Sequence, residues 1–121
     1  KFAWIVNSED GLDEISPYTK TNVVQLKDGI ISEITIDPKK LNVGANKFVD
    51  LLGDDVKFNA SKIINIFKGE DNDFSKAVCL NTAAGLIVTE KHSSFNNAYE
   101  DARKHILSGK TYENLKRIQN V

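Results

Sequence analysis

Directly after the apolar run Phe2-Ala3-Trp4-Ile5-Val6 the chain turns acidic, reading Asn7-Ser8-Glu9-Asp10-Gly11-Leu12-Asp13-Glu14. With the run as a strand, the adjacent carboxylates Asp13 and Glu14 fall on a loop at its carboxyl end, where open α/β sheets gather ligands. A helix splays neighbours i and i+1 apart, whereas a loop can turn both toward one ion. Magnesium suits such a pair, because it takes oxygen ligands and keeps waters for itself and for substrate phosphates. A solvated acidic loop, the commoner outcome for carboxylates, accounts for the same residues. The alternating oxygens and closing Glu of an EF-hand are not at the required spacing.

Other chemistry finds less support. His92, His105 and Cys79 share no zinc-like spacing, and the two histidines read as surface or helix-end residues. There is no Gly-x-Ser-x-Gly elbow, Walker loop or Gly-x-Gly-x-x-Gly run. Arg103-Lys104-His105 reads as the solvated face of a helix. Asn81, inside an apolar helix, needs a hydrogen-bond partner and is expected to tie down a loop or helix end. With 16 basic and 17 acidic residues and a net charge of −1, the chain carries no basic stripe for nucleic acid. No apolar stretch approaches the roughly 20 residues of a membrane span. The lone Cys79 lies in an apolar run as a small buried hydrophobe, which suits a reducing cytoplasm.

The elements that must position the acidic loop follow from periodicity. The run Phe2–Val6 suits a parallel-type strand covered on both faces. Pro17 discourages a helix in the loop that follows. Thr21–Leu26 and Ile30–Ile36 flank Lys27-Asp28-Gly29, a hairpin signal, because type I′ turns need positive φ at both central residues. From Asp37-Pro38 the period becomes helical. Phe48, Val49, Leu51 and Leu52 fit a short helix ended by Gly53. Val56, Ala60, Ile63, Ile64 and Phe67 form one face of the next helix, stopped at Gly69 by a left-handed cap. Asp73–Glu90 is apolar almost all round in its middle, as a fully buried helix would be. Phe95, Ala98, Tyr99, Ala102 and Ile106 mark an amphipathic helix ending at Gly109, and Thr111 is placed to cap a last one.

Strands first and helices after make the class α/β, or α+β as an isolated piece, and the 121 residues form a single partial domain. The sequence contains no methionine and opens on core residues, which points to missing partner strands and an upstream part removed by cleavage, by design or by splitting of the gene.

Asp10-Gly11-Leu12-Asp13-Glu14-Ile15-Ser16-Pro17 after an apolar strand resembles the signature loop of anthranilate phosphoribosyltransferases. The similarity continues in order through the Leu26-Lys27-Asp28-Gly29 turn, Pro38, Leu52-Gly53-Asp54-Asp55 with Asn59-Ala60, and Gly69. It then takes in the helix Ala77 to Leu86, and Ala102 and Ser108-Gly109-Lys110. It covers nearly all of this chain but only the C-terminal portion of a family member, in a nucleoside phosphorylase/phosphoribosyltransferase-like α/β domain.

The resemblance implies transfer of a phosphoribosyl group from phosphoribosyl pyrophosphate to anthranilate, releasing pyrophosphate, in tryptophan biosynthesis. Asp13 and Glu14 would be the carboxylates serving Mg2+, with Glu14 reaching both ions, and a cytoplasmic location follows. The family's Gly-Thr-Gly-Gly-Asp loop and Lys-His-Gly-Asn-Arg segment are not in this chain. The expectation is therefore a fragment that is inactive alone and needs the missing N-terminal part, with pairing to a second copy left open. Thr82 and Gly85 replace alanines usual in the family's helix. Two other readings compete: a pyrimidine nucleoside phosphorylase-like enzyme, disfavoured by the Asp-Gly-Leu-Asp-Glu loop, and a non-catalytic nucleic-acid-binding relative, disfavoured by the near-neutral charge.

Overall fold

The computed structural model describes residues 1–44 and 51–120. Three strands come first: β1 (Phe2–Ser8), β2 (Thr21–Lys27) and β3 (Ile30–Ile36). A 3-10 turn over Pro38–Leu41 follows, and then four helices: α1 (Val56–Phe67), α2 (Asp73–Val88), α3 (Phe95–Leu107) and α4 (Lys110–Gln119). The architecture is a small sheet with helices on one face. No helix among the described residues is long and apolar enough to cross a membrane.

The hairpin forms as its sequence dictates. Asp28 and Gly29 take φ of 51° and 83°, so both central residues of the two-residue turn are left-handed and β2 and β3 pair from Lys27↔Ile30 to Thr21↔Ile36. β1 differs from the expected parallel-type strand. It pairs antiparallel with β2 through all seven residues, from Phe2↔Lys27 to Ser8↔Thr21. The physical reason is the loop over residues 9–20, which reverses the chain and returns it alongside the strand it left. Nor is β1 covered on both faces: Phe2, Trp4 and Val6 are partly buried against the core, while Ala3, Ile5 and Asn7 point outward and are exposed. A short continuous apolar run does not reveal which of its alternate positions has a lid.

The core lies between this inner sheet face and the pair α2–α3. Leu80, Ala83 and Ala98 are fully buried, and the alanines let the two helices approach closely. Burying a side chain such as Leu80 contributes about 1.5–3 kcal/mol. Trp4 stacks on Phe95 with ring centroids 6.1 Å apart, fastening the sheet to the start of α3. The expected face of α3 holds, since Ala98, Tyr99, Ala102 and Ile106 are all buried.

Three helical expectations need correction. α2 is not enclosed on every side, because Thr82 and Gly85 are exposed; its apolar residues exceed what one face can bury. α1 buries Ile66, while Val56 is 84% and Ile63 49% exposed, and Ala60 is exposed too. Two apolar stripes overlap on this helix, and packing against α3 and α4 selects the one through Ile66. α4 begins at Lys110 behind Gly109, which has φ 73° and makes no side-chain cap, so Thr111 falls inside the first turn and does not cap it.

Gly69 does stop α1 as expected, with φ 102°, and a Cβ there would meet the Leu107 carbonyl oxygen at 3.0 Å. Of the short helix expected near Phe48, Val49, Leu51 and Leu52, the first two lie outside the described residues.

Candidate functional site

The acidic loop leaves the carboxyl end of β1 and is built around buried hydroxyls. Ser8, the last residue of the strand, and Thr21, the first of β2, are cross-strand partners with 2% and 0% exposure. Their side-chain oxygens are 2.8 Å apart. Since the Ser8 hydroxyl donates to the Glu14 carbonyl, the Thr21 hydroxyl is the donor between the two. The Ser16 N–H reaches both oxygens, at 3.2 Å each. A loop that would otherwise bury unpaired backbone groups is thus satisfied from the strand ends.

Asp10 belongs to this scaffold. Its carboxylate accepts from the Ser16 hydroxyl at 2.6 Å and from the Leu12 N–H at 3.3 Å, closing the turn at Gly11, where φ is 89°. The other side of the loop is pinned from α2. Asn81 Oδ1 accepts from the Ile15 N–H at 2.9 Å, and its Nδ2 donates to the Ile15 carbonyl at 3.2 Å and to that of Ala77 at 3.0 Å. The anchor role expected of Asn81 is what the geometry shows. Tyr18 adds a further tie through its hydroxyl, which donates to Asp73 at the start of α2, 3.2 Å away.

Asp13 and Glu14 sit at the crest of this frame, both exposed. Their neighbours Leu12 and Ile15 and the Glu14 carbonyl are all held, yet among the described residues neither carboxylate has a hydrogen bond or ion pair. No cluster of three or more His, Cys, Asp or Glu side chains is assembled there or elsewhere among the described residues. Two adjacent hard-oxygen donors on a fixed backbone fit magnesium, which is held by one or two carboxylates with water and substrate oxygens completing its shell. They do not fit a structural zinc site, which closes with four protein ligands.

The remaining candidates separate cleanly. Cys79 is buried and free, and burial pushes its thiol up to about 11, so it behaves as a core hydrophobe. His92 pairs with Asp101 across 3.2 Å, and His105 is exposed in the last turn of α3. Arg103 is tied to Asp71, which raises its pKa further, while Lys104 stays exposed. Sequence reasoning missed the hydroxyl group of Ser8, Ser16 and Thr21. Its signal was available as small hydroxyl residues at both strand ends bracketing a Gly-containing loop.

The description "Glycosyl transferase family, a/b domain" matches residues 1–112. The chain is 78% identical over 121 residues to an anthranilate phosphoribosyltransferase of Pelagibacter ubique, covering all of this chain and 37% of that protein. It is 38% identical over 124 aligned positions to the anthranilate phosphoribosyltransferase of Clostridium beijerinckii, again across 37% of it. Among solved structures, anthranilate phosphoribosyltransferase from Thermus thermophilus superposes with a TM-score of 0.85 at 26% identity, over 96% of this chain and 34% of that one. The Saccharomyces cerevisiae enzyme in complex with PRPP and Mg shares the fold, with a TM-score of 0.80 at 23% identity over 93% and 33% of the two chains. The α/β class expected from the order of elements is the fold of these proteins. The chain spans little more than a third of the length of the relatives it matches.

Proposed function

We propose, from the premise that this chain belongs to the glycosyl transferase family through its a/b domain, that it is the loop-bearing portion of an anthranilate phosphoribosyltransferase. The observation that carries this reading is 78% identity, sustained over the whole chain, to the Pelagibacter ubique enzyme of that name. The substrates on this reading are phosphoribosyl pyrophosphate and anthranilate, and the products are the N-phosphoribosyl amine and pyrophosphate. Residues 1–121 act as a single partial domain, and the remainder of the enzyme supplies the other substrate contacts. A cytoplasmic location goes with it, where the free Cys79 stays reduced.

The part this chain plays is electrostatic and positional. Asp13 and Glu14 would hold magnesium through their free carboxylate oxygens. Magnesium, when bound, supplies positive charge against the negative charge growing on the departing pyrophosphate. Ser8, Thr21 and Asn81 hold the loop backbone before any substrate arrives, so little ordering is left to be done on binding. Asp10 is spent on the Ser16 hydroxyl and takes no part as a ligand.

The test uses the longer protein that carries this chain, assayed by loss of anthranilate fluorescence with phosphoribosyl pyrophosphate and magnesium. Wild-type protein is expected to consume anthranilate, and Asp13→Asn with Glu14→Gln to lower kcat/KM at least about a hundredfold, as loss of a charge-stabilising group does. Magnesium affinity in the presence of phosphoribosyl pyrophosphate, followed by calorimetry, should fall together with it. Unchanged magnesium-dependent turnover in the double variant refutes the ligand assignment; no anthranilate consumption by the wild type refutes the reaction.

A further inference from the structure

Asp73 is the first residue of α2, and its carboxylate gathers bonds from separate parts of the chain. Oδ2 accepts from the Tyr18 hydroxyl at 3.2 Å, and Oδ1 accepts from Lys76 Nζ at 2.8 Å. Lys76 Nζ donates also to the Gly44 carbonyl at 2.7 Å, beyond the 3-10 turn that follows β3. Inside the acidic loop the connection runs on. The Tyr18 N–H donates to Ser16 Oγ at 3.0 Å, and that hydroxyl donates to Asp10 at 2.6 Å. Asp10 in turn accepts from the N–H of Leu12, the residue before Asp13. A continuous series of bonds therefore joins the head of α2 to the backbone that carries Asp13.

The helix does not need this arrangement for its own start. Asn72 and Ser75 already form a capping box there. A lysine in the opening turn stands against the helix macrodipole, and an i,i+3 ion pair offsets little of that. The two side chains keep 12% and 26% exposure, so their attraction is partly screened. A lysine at odds with its own helix, yet bonded to a distant carbonyl and to the carboxylate that holds the loop, serves the contact and not the helix.

We propose that Tyr18, Asp73 and Lys76 are positioning residues that hold the acidic loop in its magnesium-binding conformation. Lys76 fixes the Asp73 carboxylate, Asp73 fixes the Tyr18 hydroxyl, and Tyr18 steadies Ser16 and Asp10. They act through the loop and not on the ion. The proposal rests on the assignment of Asp13 and Glu14 to magnesium and extends that site to the head of α2.

The experiment uses the longer protein that carries this chain. Its first readout is hydrogen exchange of the segment over residues 9–20 without metal, which is independent of any reaction. Tyr18→Phe removes only a hydroxyl, and Lys76→Met removes the charge and keeps the stem. Each is expected to speed that exchange about threefold or more and to leave α3 unchanged, as loss of one hydrogen bond does. The second readout is magnesium affinity in the presence of phosphoribosyl pyrophosphate, by calorimetry. It should weaken about three- to tenfold in both variants and recover in Lys76→Arg, which keeps the charge and the donors. The double variant should bind no worse than the weaker single one, because both changes act through one carboxylate. Excess magnesium should recover most of the lost turnover in these variants, and should fail to do so in Asp13→Asn with Glu14→Gln.

Loop exchange unchanged in both single variants would overturn the proposal, as would faster exchange with wild-type magnesium affinity. Magnesium affinity that ignores Asp13→Asn with Glu14→Gln sinks the ligand assignment instead. Loop exchange still decides in that case whether Tyr18 and Lys76 hold the loop.

Discussion

Asn81 holds Ile15 by both ends of its amide, accepting from the Ile15 N–H at 2.9 Å and donating to the Ile15 carbonyl at 3.2 Å. One side chain in the middle of α2 therefore fixes the backbone next to Glu14. The bond spans 66 positions in the sequence and couples the core helix to the crest of the loop.

Replacing Asn81 with Leu keeps the apolar contacts and removes the clamp. Two buried backbone groups then lose their partner, which should cost about 2–6 kcal/mol at roughly 1–3 kcal/mol per unsatisfied group. Urea unfolding of the two proteins checks this. A change under about 0.5 kcal/mol would show that water takes over from the amide.

Ser8→Ala should cost about 1–3 kcal/mol, because the Glu14 carbonyl loses its donor while Thr21 remains to accept from the Ser16 N–H. Thr21→Val removes the other half of the cluster. The double variant is expected to be non-additive, since the two hydroxyls bond each other at 2.8 Å. Additive losses in a double-mutant cycle would break this picture of a shared network.

Asp13→Asn with Glu14→Gln is expected to leave stability within about 0.5 kcal/mol of wild type, as surface changes without partners do. Removing two adjacent like charges without partners relieves repulsion and does not expose a hole. Thermal unfolding without metal reads this directly. A large loss would reveal a structural role for the pair.

Alkaline pH should weaken the fold through Cys79 and Tyr99. Burial raises the first from 9.0 to about 11 and the second from 10.0 to about 12. The unfolded chain gives up these protons first, so the stability they contribute is whole below pH 9.0 and is lost as pH rises toward 11 for Cys79, and between 10.0 and 12 for Tyr99. Cys79→Ala should flatten the lower part of that decline in pH-dependent urea midpoints. Native Cys79 should also resist alkylation near pH 8 until the chain unfolds. Rapid labelling of folded protein would contradict its burial.

Local chemistry determined much of this protein from sequence alone. Asp28-Gly29 commits its neighbours to a hairpin because its backbone demands are met within two residues, and Gly69 ends α1 for the same kind of reason. The period of Phe95 to Ile106 names its own buried face, since only one apolar stripe exists there. The adjacency of Asp13 and Glu14 on a loop was equally plain. Contacts between distant segments decided the rest. Whether β1 has an antiparallel neighbour, which of two stripes on α1 turns inward, and that Asp10 becomes a staple while Asp13 and Glu14 stay free all depend on what packs or bonds from elsewhere. A residue's type states what it can bond; only the folded chain determines which partner is within 3 Å of it.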